Sequence, residues 1–277
     1  FFDLLAGMDD EALKKILWTL YWRGARPVRE RIEDLVGVPA PPPTPATPDP
    51  VFVLQDVKDF AALARAGAYM GGDRRVSPKE RTRWRFTFRD LTGQALQALN
   101  SDDEESVRAG ASALAVMIDL AMETRGVDYF RSEDPLEAAR FVVSDVVRAL
   151  WLRTRMVYGS SVFAEQACRQ LLRWESGHGW TRRGDGWVAA RETPLAHVAE
   201  ELLVTPDMWN EFADKYVETL DRAAADTGGG GRGSRPVRRA SYQDLSQWHS
   251  ILDERLVGSD REELLDRLPS RRAAGGS

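Results

Sequence analysis

Apolar residues recur along most of this chain at the three- and four-residue spacing that gathers them on one face of a helix. Leu13, Ile16, Leu17, Leu20 and Tyr21 follow Asp9-Asp10 in this way, and Gly24 ends the run. Pro27 opens a shorter run through Val28, Ile32, Leu35 and Val36, so residues 1–37 read as a helix pair joined by a glycine-containing turn. Ser77-Pro78-Lys79-Glu80 and Ser101-Asp102-Asp103-Glu104 have the form of capping boxes and predict a helix after each. The second of these runs to Arg125, with Val107, Ala111, Leu114, Ala115, Ile118 and Met122 inward and Gly126 as its stop. A further helix is predicted from Ser132-Pro135 to Gly159, carrying Leu136, Ala139, Val143, Val146, Val147, Leu150 and Val157. Phe163, Ala167, Leu171 and Trp174 form the stripe of the next. Thr193-Pro194 and Thr205-Pro206 restart helices, the latter with Trp209, Phe212, Tyr216 and Leu220 on one face.

One segment departs from this period. Trp180 to Ala190 places Gly184-Asp185-Gly186 between two short arms, which predicts a small β-hairpin. The expected fold class is therefore all-α, a multi-helix bundle or solenoid-like stack with one hairpin near 180–190.

Residues 38–50 form a proline-rich linker, and 226–240 a flexible one rich in glycine and arginine. They divide the chain into the 1–37 helix pair, a helical body at 51–225, a second helix pair at 241–269 and a disordered tail at 270–277. In the C-terminal pair Leu245, Trp248, Leu252 and Leu256 face Leu264, Leu265 and Leu268. The stripes of the two end pairs make Trp18, Trp22, Trp248 and Leu252 candidate docking residues.

Charge changes the picture at one place. Between Arg74 and Leu91 seven basic residues oppose only Glu80 and Asp90, in a chain of net charge −5. Trp84, Phe86 and Phe88 are interleaved with the arginines. As a helix, the segment buries Trp84, Phe88 and Leu91 and sets Arg81, Arg85 and Arg89 in a rail beside them; as a strand, Phe86 would join the buried set. The capping box at Ser77 favours the helix. Arg74, Arg75, Arg81, Arg83, Arg85, Phe86 and Arg89 are the candidate surface for a partner or a nucleic acid. Of the 38 basic residues 33 are arginine, a global bias suggesting a GC-rich bacterial genome, and this weakens the significance of any single arginine.

Candidate chemistry adds little. The single Cys168 and the lack of any long apolar run point to a reducing, cytoplasmic setting with no membrane span. His178, His197 and His249 are far apart, and Glu175-x-x-His178 and His197-x-x-Glu200 each supply only two metal-capable residues. No phosphate-binding glycine loop or nucleophile elbow is present. No catalytic, metal-binding or cofactor-binding residue is therefore assigned. The expected function is a non-enzymatic helical adaptor or scaffold that binds protein partners or itself. The alternatives are nucleic-acid binding through Arg74–Arg89 and a small-molecule pocket in the body near Trp180 and Trp187.

Overall fold

A computed structural model of the chain describes residues 8–23, 28, 32, 49–68, 78–124, 134–181, 186–228 and 245–268. The chain divides into two units, Phe1–Ala46 and Thr47–Ser277. In the first, helix α1 (Asp10–Arg23) starts where Asp9 Oδ1 accepts the Ala12 amide at 2.7 Å. Its Ile16, Leu17, Trp18 and Leu20 are exposed, and Trp18 stacks on Tyr21.

Every regular element among the described residues of the second unit is helical: α2 (Pro50–Leu63), α3 (Pro78–Leu99), α4 (Glu104–Glu123), α5 (Pro135–Ala139), α6 (Val143–Thr181), α7 (Leu195–Leu202), α8 (Pro206–Gly228) and α9 (Ser246–Leu256). The α2 helix continues as a π-helical stretch, Ala64–Ala68, and a 3-10 stretch spans Glu262–Arg267. Packing follows chain order. Both α2 and α3 pack on α4, α4 packs on α6, α6 on α7 and α8, and α9 on α7 and α8. One core results, threaded by ring contacts: Phe60, Trp84, Phe88 and Phe141 at one end, and Trp151, Phe163, Phe212 and Trp248 at the other.

The α3 segment is a helix, with Trp84, Phe88 and Leu91 buried and Phe86 turned outward. Missed by the sequence reading, α2 puts Val53, Val57, Phe60, Ala61 and Ala64 at helical spacing in the core. The helix expected from 132 to 159 is broken. Arg140 takes the left-handed conformation (φ 50°, ψ 42°), so α5 ends in a tight turn in which the Phe141 amide reaches the Leu136 carbonyl at 3.1 Å.

At Gly159 (φ 85°, ψ 176°) α6 leaves helical geometry, and its two limbs fold back on each other. Trp151 and Phe163 rings lie 6.5 Å apart, and Trp151 Nε1 donates to Gln170 Oε1 at 2.7 Å. Nineteen residues of straight helix would separate that pair by about 28 Å at about 1.5 Å per residue. α6 is thus an αα-hairpin, and a glycine is required because this backbone region is closed to other residues.

The β-hairpin expected near 180–190 does not form among the described residues. Trp180 and Thr181 belong to the end of α6, and residues 186–191 form a helical turn in which the Ala190 amide donates to the Gly186 carbonyl at 3.1 Å. The amides of Val188 and Ala189, which a hairpin arm could have used, go to Glu137 Oε1 at 2.9 and 3.3 Å. Of the expected C-terminal pair, the first partner is α9 and the second is the 3-10 stretch, both packed against α8.

Candidate interaction surfaces

Charged side chains in this fold work first at helix ends, where four carbonyls or four amides lack intrahelical partners. Arg153 donates to the carbonyls of Leu99 (3.1 Å) and Ser101 (2.6 Å), closing the end of α3, and Arg155 donates to Leu202 O at the end of α7 (2.6 Å). Arg89 does the same for α5, through Nε to Ala139 O at 3.0 Å and Nη2 to Ala138 O at 3.4 Å. Carboxylates serve the opposite ends. Glu192 accepts the Val143 and Ser144 amides at the start of α6 (2.7 and 2.9 Å), while Glu137 holds the 186–191 turn.

Those contacts decide the candidate surface on α3. Arg89 supports α5 rather than facing outward. Phe86 is 46% exposed, the Arg85 guanidinium lies 5.5 Å from its ring centroid, and Arg83 is exposed on the same side. Arg74, Arg75 and the Arg81 side chain lie outside the described residues.

A second arginine–aromatic group lies where the hairpin had been expected. Trp187 is 41% exposed, with the Arg191 guanidinium 4.0 Å and the Arg140 guanidinium 5.5 Å from its ring. Arg191 Nη1 also donates to the Trp187 carbonyl at 3.3 Å. Sequence reasoning missed both arginines. The four-residue spacing of Trp187 and Arg191 is a helical signal, hidden by reading the segment as strands; Arg140 had no local signal at all.

The candidate docking residues separate. Trp18 is 61% exposed, and the Trp22 side chain lies outside the described residues. Trp248 and Leu252 are buried within their own chain, Trp248 stacking on Trp209 at 6.1 Å and meeting Phe212 at 5.2 Å.

The buried ionisable groups are engaged within the fold. His178 Nε2 bonds Glu192 Oε2 at 2.9 Å, both side chains fully buried. Burial pushes the Glu192 carboxyl up, and the bonds from His178 and the two α6 amides outweigh it, leaving it below the ordinary range. His249 Nε2 pairs with the Tyr216 hydroxyl at 2.9 Å, and burial lowers its pKa from 6.5 to about 4. Cys168 lies in the core, where burial raises its thiol well above the usual value. His197 and Glu200 tie α7 to α9 through Gln247 and Arg255. No group of three metal-capable side chains occurs among the described residues.

Two open grooves of about 600 Å³ each flank α8, one lined by Asp207, Glu211, Asp214, Lys215 and Arg261, the other by Val204, Pro206, Trp209 and Arg255. No described helix is long and apolar enough to cross a membrane. Comparison with protein-family models, with curated proteins and with solved structures finds no match to this chain.

Proposed function

We propose that this chain is a non-enzymatic interaction protein that binds other proteins through helical modules. The exposed apolar surface of α1 carries the reading: Ile16, Leu17, Trp18 and Leu20 all face solvent on a helix of 14 residues. An isolated helix of about 12–15 residues is marginal in water, so α1 gains stability when its apolar surface is covered. The prolines of residues 38–50 separate this unit from the body in sequence, and tethering raises the effective concentration of one module beside the other. The roles of the buried ionisable groups fit a non-catalytic chain, with Cys168 far from thiolate chemistry and the His178–Glu192 pair holding the start of α6.

Light scattering and pull-down with the full chain test the reading. The native protein should self-associate or capture a protein partner, and the pair Leu17→Asp with Trp18→Asp should lose this while melting at the same temperature. A native monomer that captures nothing overturns it.

A second reading, nucleic-acid binding through α3, is favoured by the exposed Phe86 beside Arg83 and Arg85. An aromatic platform flanked by guanidiniums suits stacked bases and phosphates. Joint replacement Arg83→Glu and Arg85→Glu should abolish salt-sensitive binding to labelled single strands, and absence of binding by the native chain at low salt overturns the reading.

A further inference from the structure

We propose that α1 pairs with α1 of a second copy of this chain, the two helices running antiparallel with Ile16 and Leu17 at the centre of the pair. The inference rests on the reading of α1 as the docking element and names its partner.

The apolar positions define the face. At about 100° per residue, Ile16, Leu20, Leu13 and Leu17 fall at about 0°, 40°, 60° and 100° around the helix, a single arc that one partner helix can cover. Within it Ile16, Leu17 and Leu20 are 40%, 42% and 52% exposed, and Leu13 is half-buried. Trp18 stands outside the arc, where it stacks on Tyr21. Asp10 and Arg23 lie just beyond its two edges, at about 120° and 340°.

Charge selects the orientation. The helix begins acidic, with Asp9 before it and Asp10 and Glu11 in its first turn, and it ends basic at Arg23. A parallel pair in register would set Asp10, Lys14, Lys15 and Arg23 each level with its own copy, like charge beside like charge. The antiparallel pair removes all four clashes. With Ile16 level with Leu17 of the second copy, Leu13 comes level with Leu20, Asp10 with Arg23, and Lys14 and Lys15 with Thr19 and Trp18.

The two-fold axis between Ile16 and Leu17 repeats this match at both ends, as an isologous interface requires. Glu11 and Lys14 pair with each other inside the helix at 3.2 Å, which leaves the end-to-end match to Asp10 and Arg23. An acidic start, an apolar middle and a basic end form a pattern that its own reverse completes.

The size of the element sets the strength. Fourteen residues make a helix about 21 Å long, and the pair covers Leu13, Ile16, Leu17 and Leu20 from each copy. Such an interface belongs to the small, transient class, so the dimer forms and parts with concentration. Because a helix of this length is marginal alone, pairing and helix formation reinforce each other.

The test uses the full chain. Sedimentation velocity over roughly 1 μM to 1 mM should show a concentration-dependent dimer. Leu17→Asp with Trp18→Asp should abolish the dimer while the melting temperature holds. Arg23→Glu should weaken it by about fivefold, and Asp10→Lys with Arg23→Glu in the same chain should restore it. Orientation is read by cysteine linking. Leu13→Cys and Leu20→Cys chains, one of them carrying an affinity tag, should give a mixed disulfide-linked dimer when combined and oxidised, while each alone stays unlinked. Cys168 is buried, and the native chain is the control. Linking of each variant to itself but not to the other shows a parallel pair and overturns the proposal. A dimer that survives Leu17→Asp with Trp18→Asp, or one indifferent to Arg23→Glu, overturns it as well. So does a native chain that stays monomeric at the highest concentration. Capture of a different protein by that monomer, lost in Leu17→Asp with Trp18→Asp, leaves the docking reading of α1 standing without this partner.

Discussion

At Gly110 the backbones of α3 and α4 approach so closely that no side chain fits: a Cβ there would lie 2.7 Å from the Ala95 carbonyl oxygen and closer still to the Leu99 amide. Gly110→Ala should therefore cost about 1–3 kcal/mol despite the better helix propensity of alanine, read as a lower urea midpoint. Gly93 is the opposite case. It is exposed inside α3 with nothing within 4 Å of a Cβ, so Gly93→Ala should stabilise by about 0.5–1 kcal/mol in the same assay. The sequence shows two helical glycines and no difference between them, because the difference is the neighbouring backbone. His249 makes a pH prediction. Its folded pKa of about 4 lies below the ordinary 6.5, so between those values the unfolded chain holds a proton that the folded chain does not, and stability must rise with pH across that window. The loss on acidification should reach on the order of 2–3 kcal/mol by pH 4, since each pKa unit is worth about 1.4 kcal/mol. His249→Gln, which keeps an acceptor for the Tyr216 hydroxyl, should flatten urea-derived stability across this window. An unchanged slope assigns the acid loss elsewhere. Glu192, depressed below its ordinary 4.5, adds stability that is present above that value and lost at lower pH.

Among elements, the α6 hairpin depends on one residue. Gly159→Ala places a Cβ at φ 85°, a conformation essentially confined to glycine, although the space around it is open. The cost, about 1–3 kcal/mol, is thus conformational rather than steric crowding from neighbours, and Gly159→Asn should recover little because ψ 176° lies outside the left-handed helical region that asparagine tolerates. Thermal melts of the two variants check this. The helical period on both sides of Gly159 was legible, as was the break itself; that the two limbs pack against each other through Trp151, Phe163 and Gln170 was not. The same distinction explains why the expected β-hairpin does not form. Gly184-Asp185-Gly186 is a turn signal, and the fate of the following amides was decided by Glu137, some fifty residues upstream in sequence and out of reach of any local rule.

For the whole molecule, the C-terminal segment is part of the Thr47–Ser277 unit, with Trp248 fully buried against Trp209, Phe212 and Tyr216. Trp248→Ala should therefore cost about 3–5 kcal/mol and release α9, seen as faster proteolysis after α8 and a lower melting temperature. A tethered appendage independent of the body would leave the body's melt unchanged in that variant. The all-α class, most helix positions and most of the core can be read from the chain unaided, because each helix writes its buried face into a 3.6-residue period and its start into a cap. Phe86 is legible in the same way, since its position on the α3 wheel separates it from Trp84 and Phe88. The destinations of the charges are settled only in three dimensions: Arg89, Arg153 and Arg155 go to the ends of helices distant in sequence, Glu192 to the start of α6, Arg140 and Arg191 to Trp187. Apolar burial is non-directional and legible from local periodicity, whereas a long charged side chain finds its partner by spatial proximity, across roughly fifty residues in several of these pairs.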